Sequence, residues 1–130
     1  MTSATVLAEP SGKFQGRDGS IDAFWQKFKS AVAIKDNQAV ANLSRFPIQM
    51  PYGVASIENK NQLLSRYHEV FDEQTNAARC FENGQPEIEE GNVKRFIVAC
   101  PDAAGNEVII YHFEKTNNDW RFSGLDNINE

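Results

Sequence analysis

The second half of the chain most constrains its fold. Four stretches there read as strands, QPEIE, VKRFIVAC, NEVIIYHFEK and DWRFSGLDN, separated by Gly91-Asn92, PDAAG and Asn117-Asn118. These separators carry turn residues able to take positive φ. Four strands joined by such short turns make an antiparallel meander. The first half has a different period. Ile21, Phe24, Trp25, Phe28 and Val32 recur at spacings of three and four, which places one apolar face along a helix that Ser20 can cap. Asp36 can cap a second, shorter helix with Ala39, Val40 and Leu43 inward, and Pro47 ends that helical run. A third helix, opened by Asn59 and Gln62 as an amide capping box, carries Leu63, Leu64, Tyr67, Val70 and Phe71 on one stripe. Asp72 restarts helix through EQTNAARCF, which Asn83-Gly84 stops.

Between the helices lies NLSRFPIQMPYG, residues 42–53, where Phe46, Ile48 and Met50 share one face of a strand and Pro47 and Pro51 limit its hydrogen bonding. Proline belongs at strand starts and sheet edges, so this strand is expected at an edge. Helices first and sheet afterwards, with no internal repeat, indicate α+β: helices packed on one face of a bent, mainly antiparallel sheet. Residues 1–19, rich in Ser, Gly and Thr, read as a flexible arm, and residues 20–130 as one domain.

Charge narrows the partners. The chain carries −5 overall, but residues 1–65 hold seven Lys/Arg against five Asp/Glu, and residues 66–130 hold six against thirteen. A phosphate backbone demands clustered cations, so nucleic acid is not an expected partner. No run approaches the ~18 apolar residues of a membrane span. The opening MTSATVLAEP lacks a complete export signal, although VLAEP offers small residues for cleavage after Ala8. It reads as the remnant of a trimmed signal, or as an ordinary terminus.

The segments FWQKFKSAVAIKDNQAVANLSRFPI and IENKNQLLSRYHEVF, followed by a meander ending DWRFSGLDNINE, resemble small exported bacterial proteins of the nuclear transport factor 2-like (cystatin-like, SnoaL-like) superfamily. The resemblance spans about residues 20–130, and no catalytic signature comes with it. It implies a cone, in which a strongly bent sheet wraps the first helix and leaves a pocket at its open end. Superfamily members include ketosteroid isomerase-like and polyketide cyclase-like enzymes as well as binding and accessory domains, so fold leaves function open.

Three functional readings follow. The leading one is a non-catalytic small-ligand-binding or accessory domain, periplasmic or secreted, with a small apolar ligand in the cone; a cytoplasmic location is the alternative. Its pocket candidates are Phe28, Tyr52, Tyr67, Tyr111 and His112. His112 alternates with Ile110 and Val108, which can point it into the cavity; the plainer alternative is a partly buried histidine bonded to a neighbour. The second reading is an isomerase, cyclase or dehydratase using Tyr and His in that pocket. Such chemistry needs a carboxylate base facing an acidic donor, and no Asp or Glu sits inside an apolar stretch. Glu87, Glu89 and Glu90 flank a hairpin turn and read as a solvated acidic edge. The third reading is an interaction module: VIIYHF is apolar on both alternating faces, so the outer sheet face is expected to be covered by a partner subunit or another segment, and a homodimer through that face is the expectation.

Metal and cofactor sites are not expected, because the two histidines are 44 positions apart and the cysteines have no paired spacing. Cys80 and Cys100 are disulfide candidates if the chain is exported, and two buried thiols otherwise.

Overall fold

The computed structural model describes residues 19–88 and 94–128. Residues 1–18 of the expected arm, the cleavage position after Ala8, the Gly91-Asn92 turn, Glu89 and Glu90 lie outside these residues, and Gly19, expected at the end of the arm, opens the first helix. Helix α1 spans Gly19–Ala33 and buries Ile21, Phe24, Trp25, Phe28, Ala31 and Val32, the stripe its spacing predicts. It begins one residue before Ser20, so Ser20 is not its cap. The Ser20 hydroxyl instead accepts a hydrogen bond from Trp120 Nε1 at 3.0 Å, fastening the helix start to the sheet.

Helix α2 (Asn37–Asn42) is capped by Asp36, whose Oδ1 accepts from the Ala39 N–H at 3.1 Å. It ends well before Pro47. Strand β1 (Ser44–Gln49) follows almost at once, with Pro47 inside it after a cis Phe46–Pro47 peptide bond. Proline has no N–H to give a ladder, and β1 is indeed an edge strand. Phe46, Ile48 and Met50 all pack on the core from this edge. Ile48 exchanges backbone hydrogen bonds with Ile57 at 2.8 and 3.0 Å, which occupies part of the free edge.

Helix α3 (Lys60–Ser65) opens as a variant capping box. Asn59 Oδ1 accepts from Gln62 N at 2.9 Å, and Gln62 Oε1 accepts in return from Glu58 N at 2.8 Å, one residue earlier than the usual partner. The expected single stripe is broken by a turn at Arg66, and a π-helical turn at Glu69–Glu73 carries Val70 and Phe71 inward. Helix α4 (Ala77–Asn83) restarts at Asn76, not Asp72, because the Asn76 side chain accepts from Arg79 N.

Strands β2 (Glu87–Ile88), β3 (Arg95–Cys100), β4 (Ile109–Thr116) and β5 (Asp119–Asn127) form the meander, and the sheet order is β1-β5-β4-β3-β2. All neighbours pair antiparallel except β1 with β5, which is parallel. Asn117 and Asn118 take φ of 50° and 67°, the conformation that a two-residue hairpin needs. Phe96, Val98, Cys100, Ile109, Tyr111, Phe113, Trp120, Phe122 and Leu125 are buried on the helix-facing side. A bulge between His112 and Phe113 inserts Ser123 into β5 and bends the sheet there. The architecture is α+β, helices on one face of a bent, mainly antiparallel sheet.

Candidate functional site

The five pocket candidates do not come together. Phe28, Tyr67 and Tyr111 meet inside, around Phe71. Its ring centroid lies 6.1, 4.6 and 5.8 Å from theirs. Phe28 and Tyr111 have no solvent exposure, and Phe71, Phe81, Phe113 and Phe122 close around them. This volume between α1, the π-helical turn and the sheet is where a cone pocket was expected, and aromatic rings occupy it. Tyr52 is 93% exposed on a turn closed by a Val54 N–H to Pro51 carbonyl bond, with Gly53 at φ +85°. His112 is paired in register with Ile97 and Gly124, adjacent to the inward Tyr111 and therefore on the opposite face of the sheet.

The two inner tyrosines differ in how their hydroxyls are satisfied. Tyr111 donates to the Val70 carbonyl at 2.6 Å. The buried Tyr67 hydroxyl has no acceptor among the described residues. Burial, reinforced by the carboxylates of Asp72 and Asp36, pushes the Tyr67 phenol up to about 12; burial, with Asp72 and Tyr67, raises Tyr111 as well. Both folded values lie above the unfolded one near 10, so this contribution to stability is fully present below pH ~10. It is lost as pH climbs toward and past 12, at about 1.4 kcal/mol per pH unit for each tyrosine. Urea midpoints measured from pH 8 to 12 should fall steeply above pH ~10, and less steeply in Tyr67→Phe. At neutral pH, Tyr67→Phe should be neutral or stabilising, because it deletes an unpaired hydroxyl. Tyr111→Phe should cost about 1 kcal/mol. Equal losses from the two variants at neutral pH would contradict this difference.

The polar groups gather on the outer face instead. A groove of about 270 Å³ is lined by Gln49, Met50, Arg95, His112, Glu114, Ser123, Gly124, Leu125 and Asp126. Glu114 is held from two sides, by Arg45 Nη1 at 2.9 Å and Arg95 Nη2 at 2.8 Å, so β1, β3 and β4 each contribute to one ion network. Gly124 lets β1 approach: a Cβ there would stand 3.3 Å from Gln49 Cβ and 3.4 Å from its carbonyl oxygen. Ser123 Oγ, at the bulge, donates to the His112 carbonyl at 3.2 Å. The network had a sequence signal that alternation alone could have revealed, since Arg95 in VKRF and Glu114 in HFEK fall on the same side as His112. The Arg45 arm had none, because it depends on the parallel pairing of β1 with β5.

On the other side of the sheet, Cys80 of α4 and Cys100 of β3 form a disulfide, with Cα atoms 5.8 Å apart. Among the described residues there is no group of three or more His, Cys, Asp or Glu able to hold a metal ion, and no helix long and apolar enough to cross a membrane.

The folded chain is thus a helix-filled, bent-sheet domain whose polar groove lies outside. No protein-family model matches the sequence, and no curated protein does. Among solved structures it is similar to a domain of unknown function with a cystatin-like fold from Nostoc punctiforme, at 12% identity over 95% of this chain and 78% of that one, TM-score 0.46. It is also similar to a DUF4783 family protein from Bacteroides ovatus (14% identity, 80% and 94% covered, TM-score 0.48) and to a putative ketosteroid isomerase from Shewanella frigidimarina (9%, 84% and 94%, TM-score 0.46).

Proposed function

We propose that the protein is a non-catalytic interaction domain that works through the outer face of its sheet and pairs there with a second copy of itself. The observation that carries this reading is the aromatic filling of the interior around Phe28, Phe71 and Tyr111. Among the described residues, the polar or charged side chains buried besides tyrosine are Ser44 and Ser123. An isomerase-type mechanism needs a buried carboxylate opposite a donor; here the carboxylate that bears on both inner tyrosines, Asp72, keeps its side chain a quarter exposed, and Asp22, with one shielded oxygen, lies in the first turn of α1. The outer face offers Ile97, Ala99 and Ile110, neighbours by strand register, beside the Arg45–Glu114–Arg95 network. Two copies of a chain carrying −5 repel one another. This face counters that repulsion with Arg45, Arg95 and Arg121 set against Glu114 and Asp126, a mixture that can complement itself about a two-fold axis. The same reading places the working compartment outside the cytoplasm, where a disulfide such as Cys80–Cys100 is retained.

Light scattering coupled to size exclusion tests the pairing. The wild-type chain should elute with a dimer mass, and Ala99→Arg, which plants a long cation in the middle of the face, should be monomeric with an unchanged circular dichroism spectrum. A wild-type monomer at high concentration would overturn the proposal. Fractionation of the native host tests the location, and recovery in the cytoplasm would overturn that part.

A further inference from the structure

Four large apolar side chains are exposed among the described residues, and Tyr52, Val54 and Ile128 are three of them. Topology brings these three to one end of the sheet. Strands β1 and β5 run parallel with Gln49 opposite Gly124, so the segments that follow both strands leave the sheet on the same side. Met50 and Asp126 line one groove, which confirms that the two exits are adjacent. Tyr52 and Val54 stand on the turn after β1. Ile128 follows β5, where its N–H is held by the Val108 carbonyl at 3.0 Å.

The same end is strongly acidic. Arg66 Nη1 reaches the Ser56 carbonyl at 3.4 Å, and Asn127 Nδ2 reaches Gln74 Oε1 at 3.2 Å, which draws the end of α3 and the π-helical turn against these loops. With them come Glu69, Asp72 and Glu73, and Asp126 and Glu107 stand beside Ile128 and Val108. Against these five carboxylates stand Arg66, already paired with Glu69 at 2.7 Å, and Arg79, which lines one hollow with Glu73. His68 lies 3.3 Å from Asp72 and 3.9 Å from Glu73. An aromatic ring held out on a tight turn, with aliphatic neighbours and an acidic surround, complements one kind of partner.

We propose that this end of the domain is a docking surface for a basic polypeptide segment, with an Arg or Lys side chain of the partner stacked on Tyr52 and an aliphatic one against Val54 and Ile128. Tyrosine on an interface supplies a large contact at low entropic cost, and its face attracts a cation. The acidic surround raises the encounter rate and excludes acidic partners. This surface meets the outer pairing face at Asp126, but Tyr52, Val54 and Ile128 lie beyond the strands that form that face, and each proposal stands without the other.

Fluorescence anisotropy with the full chain and a labelled peptide of alternating Arg and Leu, at physiological ionic strength, tests it. An alternating Glu and Leu peptide is the control. The wild type should bind the cationic peptide saturably and ignore the acidic one. Tyr52→Ala, at a fully exposed position, and Glu73→Lys should each weaken binding about fivefold or more. Glu82→Lys makes the same change of net charge on α4, away from this end, and should weaken binding by less than about twofold. Repeating the titration with Ala99→Arg separates docking from self-association. An equal loss in Glu82→Lys would show bulk charge attraction and overturn the proposal. So would an unchanged Tyr52→Ala, or a wild type that does not saturate.

Discussion

Phe28→Ala should destabilise the protein by about 3–5 kcal/mol, the range for removing a large buried aromatic side chain. Phe28 has no solvent exposure and sits within 6.4 Å, centroid to centroid, of six other rings: Phe24, Trp25, Phe71, Phe81, Phe113 and Phe122. They come from α1, the π-helical turn, α4 and two central strands, so one truncation removes contacts among five elements at once. Rings held on separate elements cannot collapse fully into the space, and the cavity term adds to the lost transfer energy. The thermal midpoint should fall by roughly 10–20 °C for a domain of this size. The experiment also bears on function. An apolar cavity stays dry and accepts small aromatic molecules, so benzene should raise the midpoint of Phe28→Ala and leave the wild type unmoved. If benzene stabilises the wild type equally, the interior already holds a site of its own, and the interaction reading loses its main support.

That result would also weigh what the sequence disclosed against what it withheld. The helix and strand periods were legible because they are local: the stripe from Ile21 to Val32 and the meander from Arg95 to Asn127 each follow from side-chain spacing. The edge position of β1 was legible because Pro47 cannot give an N–H. Boundaries set by distant partners were not legible. Helix α1 starts one residue before Ser20, and the Ser20 hydroxyl accepts instead from Trp120, a hundred positions away. The third helix broke into α3 and a π-helical turn, a change of hydrogen-bond register that apolar spacing does not report. The site was harder for the same reason. Tyr111 and His112 adjoin in the sequence, yet neighbours on a strand point to opposite faces, and only the sheet decides which face meets the helices. Spacing identified the aromatic residues, but it could not say whether nine Phe and three Tyr would line a cavity or fill it.

Removing the disulfide should cost roughly 3 kcal/mol, from the chain entropy released when a loop of this length is opened in the unfolded state. Cys80 and Cys100 are 20 positions apart, and the bridge ties α4 to β3. Its neighbourhood argues for a local effect as well. The end of α4 packs hard on that strand: a Cβ on Gly84, the residue that caps the helix, would stand 3.0 Å from a Val98 methyl. Phe81, on the same helix, supplies an edge to Trp25 and Tyr111. Without the bridge, α4 is held by non-covalent packing alone, through Ala77, Phe81 and Gly84, so loosening should begin there and reach the ring cluster through Phe81. Urea unfolding of the oxidised wild type, with and without reductant, and of Cys80→Ser/Cys100→Ser, measures the cost. Amide exchange across Ala77–Asn83 measures where it falls. Reductant should lower the midpoint to that of the double variant, and α4 should lose protection before β4 does. A midpoint unmoved by reductant would mean that the loop is already closed by packing in the unfolded chain. The appearance of two reactive thiols in oxidised, unfolded protein would remove the bridge, and with it the argument for an oxidising compartment.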